Sequence, residues 1–345
     1  MTPREMVIAQ LQHEETPYVP YTLDFEGDVA ERLDTHYGSA RWRQWVDNHL
    51  RAVPGADLGT PDPASGPLVR DLHGTLWRTD RRPVHLEEPA LREPSLEGYH
   101  FPTMDQVFPP GHLEASRRAA ESLRERYFVY AGIGFGLFER TWTLRGFNDA
   151  LMDAAADPDF YDELVERVAR HQLDLLDRVL ELPIDGIRFS DDWGYQRGVL
   201  LGAERWRRFI KPRLARLYRR VHDAGKYALS HCCGNVAEVL PDLIEIGLDC
   251  LESVQPEAMD PYELKRQYGD RIAFWGGLGS QSTIPFGTPA SIRAEVNRLC
   301  HEMGRGGGYI LGPAKALQPE TPTANAAAVV ESFLAQAGVA IASAC

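Results

Sequence analysis

Hydrophobic and polar positions along this chain follow two alternating patterns. From residue 127 onward, short apolar runs that predict strands alternate with longer amphipathic stretches that predict helices. The predicted strands cover residues 127–134, 185–194, 226–234, 249–256, 271–279 and 308–315. The predicted helices cover residues 159–182, 203–224, 236–246, 262–268, 289–303 and 322–337. Because strand and helix alternate with short connections, the pattern predicts a parallel sheet.

The first 110 residues are less regular. Thr2 and Pro3 predict the start of a short helix, and another helix is predicted after Pro110. Residues 19–25 predict a strand and residues 69–79 a hairpin. With these early strands the count reaches about eight, which predicts an α/β fold of the (β/α)8 TIM-barrel type. A doubly wound sheet is the competing architecture, but no G-x-G-x-x-G follows the first strand. We expect a single domain over residues 1–345, with 1–110 as its irregular N-terminal part.

Composition and charge narrow the function classes. Apolar residues make up 43% of the 345 residues, enough for a sizeable core. The formal net charge of −13 argues against nucleic acid or an anionic membrane surface as the main partner. The N-terminal residues are charged and no apolar run is long enough to span a membrane, so we expect a cytoplasmic protein. We expect a small-molecule substrate, and a homo-oligomer is compatible with the sequence.

A histidine and two cysteines follow the third of the regular predicted strands. The five cysteines show no disulfide-type spacing, so buried, catalytic or metal-bound thiols are expected. In an extended strand His231 and Cys233 face the same way while Cys232 turns aside. Imidazole nitrogen and thiolate sulfur suit Zn²⁺, and active sites of such barrels lie at the carboxyl ends of the strands. The alternative interpretation is a buried thiol beside a hydrogen-bonded histidine.

Acidic residues follow two other predicted strands. Asp191 and Asp192 are candidate acid–base residues, since one of two adjacent carboxylates can hold a raised pKa or meet a cation. A helix cap or a surface pair is the alternative for them. Glu139 is a candidate metal ligand or general base, and a salt bridge with Arg140 or Arg145 is its alternative.

Further candidates follow the remaining strands. Lys315 is a candidate catalytic residue that would bind an anion or pair with the acids, with a solvated surface charge as the alternative. Trp193, Gln255 and Trp275 are candidate substrate-binding residues, although scattered core aromatics would explain the tryptophans too.

Several segments carry a resemblance to a known family. HCCGNVAEVLPDL, FWGGLGSQSTIPFGTP, GYILGPAK, DDWGYQRGVLLG and GLFERTWTLRG are similar to the uroporphyrinogen decarboxylase superfamily. The resemblance spans roughly residues 1–337 and implies a (β/α)8 barrel. The superfamily contains true uroporphyrinogen decarboxylases and zinc- and corrinoid-dependent methyltransferases. This chain lacks the R-Q-A-G-R arginine cluster of the decarboxylases and has LFERTW in place of their P-F-T element. The resemblance therefore favours the methyltransferase branch.

That branch implies a ligand set and a cofactor. Its zinc ligands are H-x-C and a distant cysteine; His231 and Cys233 match the first two, and Lys315 stands in the region of the third. Glu139, or one of Asp191 and Asp192, would then complete the shell. No D-x-H-x-x-G motif for corrinoid binding is present, so a corrinoid would sit on a separate partner protein.

Three functional hypotheses follow. The first is a zinc-dependent, corrinoid-linked methyltransferase or demethylase acting on a small methylated, O-methyl compound. The second is a metal-independent decarboxylase or lyase, in which Lys315 or Arg188 binds a carboxylate and an aspartate supplies a proton. The third is a non-catalytic binding protein on the same scaffold, since a fold does not fix a function.

Overall fold

Seven parallel strands form the central sheet of the protein. The computed structural model describes residues 1–56, 63–81 and 83–339. The order of the strands across the sheet follows their order in the chain, and every neighbouring pair is parallel. The strands are β1 (Leu50–Val53), β2 (Phe128–Ile133), β3 (Gly186–Ser190), β4 (Tyr227–His231), β5 (Cys250–Ser253), β6 (Ala273–Leu278) and β7 (Tyr309–Pro313).

Helices connect the strands, as parallel pairing requires. They are α1 (Pro3–Leu11), α2 (Val29–His36), α3 (Met104–Val107), α4 (His112–Leu123), α5 (Leu137–Arg145), α6 (Phe147–Ala156), α7 (Pro158–Val179), α8 (Ala203–Arg205), α9 (Lys211–Asp223), α10 (Leu240–Glu245), α11 (Pro261–Tyr268), α12 (Thr283–Phe286), α13 (Pro289–Arg298) and α14 (Thr323–Gln336). Single π-helical turns at Trp206–Ile210 and Leu299–Met303 join α8 to α9 and extend α13. None of the helices among the described residues has the length and apolar composition needed to cross a lipid bilayer.

The first helix closes one end of the sheet. Thr2 caps its start, as the sequence predicts, and forms a capping box with Glu5. Val7 and Leu11 of α1 pack with buried residues at the beginnings of the strands, including Leu50 and Phe128. Because this end is filled by apolar side chains, the opposite end, where the strands finish, is left for a site.

Residues 19–25 lie between the last strand and the first. The structure shows two isolated parallel bridges here, Tyr21 with Leu311 and Phe25 with Leu317, in place of the predicted regular strand. The Thr22 amide donates to the Leu311 carbonyl at 3.0 Å, and the His49 amide donates to the Tyr21 carbonyl at 3.0 Å. Pro20 has no N–H to give to a ladder, which accounts for the irregular pairing. The structure therefore confirms an α/β fold with seven parallel strands. It does not confirm an eighth regular strand.

The remaining predictions for the fold have a mixed outcome. The six regular strands predicted after residue 127 are confirmed, although each is shorter than predicted. The hairpin is confirmed as Leu68–Arg70 paired antiparallel with Leu76–Arg78, and His85–Glu88 adds a third strand. Strand β1 is absent from the sequence-based prediction.

Candidate metal centre and adjoining cavity

Three neighbouring strands place His231, Glu252 and Trp275 side by side. In the parallel register His231 of β4 is level with Glu252 of β5, and Glu252 is level with Trp275 of β6. Side chains at the same level of adjacent strands point to the same face of a sheet. All three line a cavity of about 320 Å³, which lies toward the carboxyl ends of the strands. This is where barrels of parallel strands carry their active sites.

Aromatic rings form one wall of this cavity. The rings of Tyr130 and Trp275 meet edge to face with their centroids 6.0 Å apart. The Trp275 indole N–H donates to the Thr22 hydroxyl at 2.8 Å, which fixes the orientation of the ring. The other lining residues are Asp24, Arg188, Cys233, Pro313, Ala314, Lys315 and Ala316. The cavity thus combines an apolar face with charged groups, as small-molecule sites do.

Asp192, His231 and Cys233 form a compact group of three possible metal ligands. One donor atom from each lies within 4.8 Å of the others. The Cys233 sulfur is 3.4 Å from His231 Nε2, which is 3.7 Å from Asp192 Oδ1. Bond lengths of about 2.0–2.3 Å around a tetrahedral zinc ion require donors about 3.3–3.6 Å apart. The backbone N–H of Cys233 also donates to Asp192 Oδ1 at 2.8 Å, which holds the carboxylate beside the thiol. The donor set fits zinc, and the nitrogen–sulfur and nitrogen–oxygen distances lie within or just above the range expected around a tetrahedral zinc ion.

The carboxylate of Glu252 lies beside Nδ1 of the His231 ring. Glu252 Oε1 lies 3.5 Å from His231 Nδ1, and Arg188 donates to both Glu252 oxygens, with the Nη2 contact at 2.9 Å. Burial alone raises the pKa of Glu252, but Arg188 and His231 outweigh it and lower the pKa to about 2. Burial likewise lowers the pKa of His231, whereas Cys233 and Glu252 raise it to about 10. An ionised carboxylate behind Nδ1 leaves Nε2 turned toward Asp192 and Cys233, which is the usual support for a metal-binding histidine.

Asp191 is buried away from this group. It is 1% exposed, and its carboxylate accepts three hydrogen bonds: from the Phe138 and Glu139 amides at 2.9 and 2.7 Å and from the Trp193 indole N–H at 2.6 Å. Burial raises the pKa of Asp191 to about 7, while these three donors act in the opposite direction. The carboxylate therefore anchors the first turn of α5, the capping role that the sequence left open as an alternative. Adjacent aspartates thus have separate environments.

Glu139 lies in the first turn of α5, next to the metal-type group but outside it. Among the described residues, possible metal-ligand atoms of Asp192, His231 and Cys233 lie within 4.8 Å of one another, and Glu139 is not part of this group. Burial, followed by the charges of Asp191 and Asp192, raises the pKa of the Glu139 carboxyl to about 8. The structure thus brings Asp192 rather than Glu139 to the histidine and cysteine. Glu139 as a ligand stays a prediction.

Lys315 is an exposed residue at the wall of the cavity. Its loop is fixed on both sides: the Ala314 amide donates to the Leu278 carbonyl, and the Leu317 amide to the Asp24 carbonyl, each at 2.9 Å. Among the described residues, no carboxylate forms an ion pair with the Lys315 ammonium within 4.0 Å. Lys315 therefore lines the cavity as a separate cation.

The three predicted substrate-binding residues are not all at the cavity. Trp275 lines it, but Trp193 is 1% exposed and packs edge to face on Trp206 at 5.6 Å. Gln255 is 6% exposed, and its Oε1 accepts from the Gly234 amide at 3.3 Å. Both side chains are buried and neither lines the cavity, so the structure gives them no contact with a ligand bound there.

Sequence reasoning also left residues unassigned. The sequence singles out Glu252 only as one of several polar residues at strand ends, without a role of its own, and does not single out Tyr130; both line the cavity. The signal for Glu252 is a carboxylate within the apolar run DCLES, because an acid inside a strand is costly unless a partner compensates its charge. Tyr130 carries no comparable signal, since an aromatic residue in a strand is ordinary. Cys232, by contrast, turns away as predicted: its sulfur accepts from the Trp193 amide at 3.2 Å.

A sheet of seven parallel strands with a cavity at the carboxyl ends of the strands is consistent with the TIM-barrel-like class of α/β folds. Within that class, the chain belongs to the uroporphyrinogen decarboxylase (URO-D) family, whose model matches residues 77–335.

Comparison with individual proteins gives distant relatives. Uroporphyrinogen decarboxylase from Coxiella burnetii is 24% identical over 178 residues, which cover 51% of this chain and 47% of that protein. The Thermus thermophilus enzyme of the same name is 28% identical over 170 residues, covering 49% and 46%. The match thus spans about half the length of these relatives. A methyltransferase from Methanosarcina mazei superposes with a TM-score of 0.69 at 19% identity, covering 96% of this chain and 98% of the other. That likeness shows the fold.

Proposed function

We propose that the protein is a zinc-dependent methyltransferase or demethylase for a small methylated compound, with a corrinoid on a separate protein as its methyl-transfer partner. The observation that carries the proposal is the group of Asp192, His231 and Cys233 beside the cavity. A group of oxygen, nitrogen and sulfur donors suits zinc better than the harder cations, which prefer oxygen alone. The structural likeness to the M. mazei methyltransferase over almost the whole chain supports the same branch of the family.

The chain's own residues would hold and shape this site. Asp192, His231 and Cys233 would bind the ion, and Glu252 with Arg188 would keep the imidazole in its binding orientation. Zinc, when bound, would supply Lewis acidity toward an ether oxygen or a thiol. Asp191 acts as a positioning residue, because it fixes the turn of α5 that carries Glu139. The aromatic wall of Tyr130 and Trp275 excludes water from one side of the substrate.

A metal-independent decarboxylase or lyase is the second candidate. Lys315 favours it, because a cavity-lining cation is suited to binding a carboxylate. Arg188, the other cation considered for that role, is bound to Glu252 through both carboxylate oxygens. One of the two cations expected for such a reaction is therefore already paired within the protein.

Metal content and methyl transfer test the proposal together. We expect one zinc per chain by elemental analysis of the purified protein, and less than half of that in Cys233→Ser, His231→Ala and Asp192→Asn. Cys232→Ser is the matched control, since its thiol is buried beside the group and turned away. The zinc-loaded protein should methylate free cob(I)alamin from a methoxylated donor, followed by the change in cobalamin absorbance. The activity should disappear on chelation and return with zinc.

Two outcomes would contradict the proposal. One is a purified protein without zinc that also fails to bind added zinc. The other is activity that survives both chelation and His231→Ala. Release of carbon dioxide from a small acid by the metal-free protein would establish the decarboxylase instead.

A further inference from the structure

The charged side chains of the cavity leave one cation available to a ligand. With histidine counted as neutral, four residues with a formal charge line it: Asp24, Arg188, Glu252 and Lys315. Arg188 and Glu252 neutralise each other through two hydrogen bonds. Asp24 accepts from the Asn48 side-chain amide at 3.0 Å. Within the described part of the chain, Lys315 forms no ion pair closer than 4.0 Å.

The backbone around Lys315 is held in place by hydrogen bonds, whereas its side chain is exposed. The hydrogen bonds from Ala314 to Leu278 and from Leu317 to Asp24 hold the loop against β6 and against residues 19–25. The exposed lysine therefore extends a flexible stem with three N–H donors over an anchored backbone. Such a group can follow the carboxylate of a ligand without moving the wall of the cavity.

The charge of the whole protein makes this lysine significant. A formal net charge of −13 disfavours the approach of an anion, so a small acid needs a local cation to be held. One wall of the cavity is aromatic, formed by Tyr130 and Trp275, and suits a planar apolar body. A cavity of about 320 Å³ is at the small end of the range for small-molecule sites.

The geometry points to Lys315 as the residue that selects the substrate by its negative charge. The methylated compound is then a small carboxylic acid, with its carboxylate on Lys315, its body on the aromatic wall and its methyl group toward Cys233 and His231. This inference rests on the proposed function for the identity of the transferred group. It goes beyond it by naming the chemical class of the substrate.

Matched acids and amides test the inference directly. Binding to the zinc-loaded protein is measured by calorimetry with 4-methoxybenzoate against 4-methoxybenzamide and with methoxyacetate against methoxyacetamide. We expect the wild-type protein to bind the acid of at least one pair about tenfold or more tighter than the amide, as a charge-assisted hydrogen bond allows. Lys315→Met should bring acid and amide within about twofold, and Lys315→Arg should retain most of the preference. Arg118→Met, on the outer helix α4 with a side chain 65% exposed, should behave as wild type.

Three results would overturn the inference. The first is that the wild-type protein binds neither acid more tightly than its amide. The second is that Lys315→Met keeps the preference for the acid, and the third is that Lys315→Met loses acid and amide binding equally. The zinc content of each variant is measured in the same samples. Normal zinc content with unchanged acid preference in Lys315→Met rejects the inference and leaves the proposed function intact. Absence of zinc from the wild-type protein rejects the proposed function, while the acid preference is still measurable.

Discussion

Arg188 donates to both carboxylate oxygens of Glu252, and this pair lies directly behind the imidazole of His231. The side chains of Arg188 and Glu252 are 24% and 15% exposed, so water shields their charges only in part. Each charge compensates the other, and the carboxylate is left in a fixed place 3.5 Å from His231 Nδ1. Arg188, Glu252 and His231 thus form a chain of contacts that reaches the proposed metal ligands.

Replacing Glu252 by glutamine should weaken zinc binding while the direct ligands remain. The amide keeps the size of the side chain but loses the charge that orients His231. Loss of such an orienting partner typically costs about 10- to 100-fold in metal affinity. The measurement is zinc affinity by competition with a chromogenic chelator. Glu245→Gln, on α10 with a side chain 72% exposed, is the control and should bind zinc as wild type does. Unchanged affinity in Glu252→Gln would show that the carboxylate does not orient His231.

Gly136 should tolerate no side chain, in contrast to Gly134 two residues earlier. A Cβ atom at Gly136 would lie 2.3 Å from the Cβ of Asp191, whereas one at Gly134 would meet no atom within 4 Å. We expect Gly136→Ala to lower the free energy of unfolding by about 1–3 kcal/mol, the usual cost of overpacking. Gly134→Ala should change it by less than about 1 kcal/mol. Urea unfolding of both variants provides the comparison, and equal stability of the two would contradict the close approach to Asp191.

Asp191→Asn should destabilise the fold rather than only slow the reaction. An amide in place of the carboxylate keeps one oxygen for three donors, so at least one buried N–H loses its acceptor, at a cost of about 1–3 kcal/mol. Asp157→Asn is the matched control, because Asp157 caps α7 through one bond to the Phe160 amide at 3.3 Å, and asparagine caps helices as well as aspartate. Unfolding by urea distinguishes the two. Full stability with lost turnover in Asp191→Asn would instead support a direct catalytic role.

Two buried histidines should make the stability fall in mild acid. The rings of His73 and His171 meet at 5.6 Å, and these side chains are 2% and 7% exposed as residues. Burial, with the charge of Arg140 second, lowers the pKa of His73 to about 2 and of His171 to about 4. The unfolded chain takes up protons near pH 6.5, where the folded protein does not. The contribution of these two histidines to the free energy of unfolding is therefore fully present above pH 6.5 and decreases as the pH falls toward 4.

The size of this effect can be measured on His171 alone. By linkage, His171 should account for about 2 kcal/mol of the stability lost between pH 7 and pH 5. His171→Phe should reduce that loss, because phenylalanine cannot be protonated and His171 Nε2 has no hydrogen-bond partner among the described residues. The exposed His100 serves as the control through His100→Gln. A stability difference between pH 7 and pH 5 that is the same in wild type and His171→Phe would contradict the prediction.

The sequence predicts those parts of the site that depend on strand periodicity. His231 and Cys233 are two residues apart in extended chain, and the structure confirms that their donor atoms are neighbours at 3.4 Å. It does not predict which of Asp191 and Asp192 faces them. That choice depends on where β3 ends, at Ser190, and on the irregular backbone that follows. The alignment of Glu252 with His231 depends on the register between two strands, which a single sequence does not reveal.

The same distinction applies to the fold. Strands β2 to β7 are recognisable because each is an apolar run followed by glycine or polar residues. Strand β1 has only four residues, LRAV, and one of them is charged. It is too short for an alternation of apolar and polar residues to be recognised. Its pairing with β2 joins residues more than 70 positions apart, Leu50 with Phe128, which only the folded chain brings together. The hydrophobic pattern therefore predicts local secondary structure but not the pairing between strands that are distant in the sequence.

The position of residues 19–25 against β7 has a consequence for biosynthesis. Thr22 and Lys315 line the same cavity, although most of the described chain lies between them in the sequence. A nascent chain that has emerged only as far as β6 already carries His231 and Cys233 but lacks the strand that encloses them. The ribosome must therefore synthesise the chain through β7 before a finished pocket exists, and zinc delivered earlier would meet thiol and imidazole in an open groove.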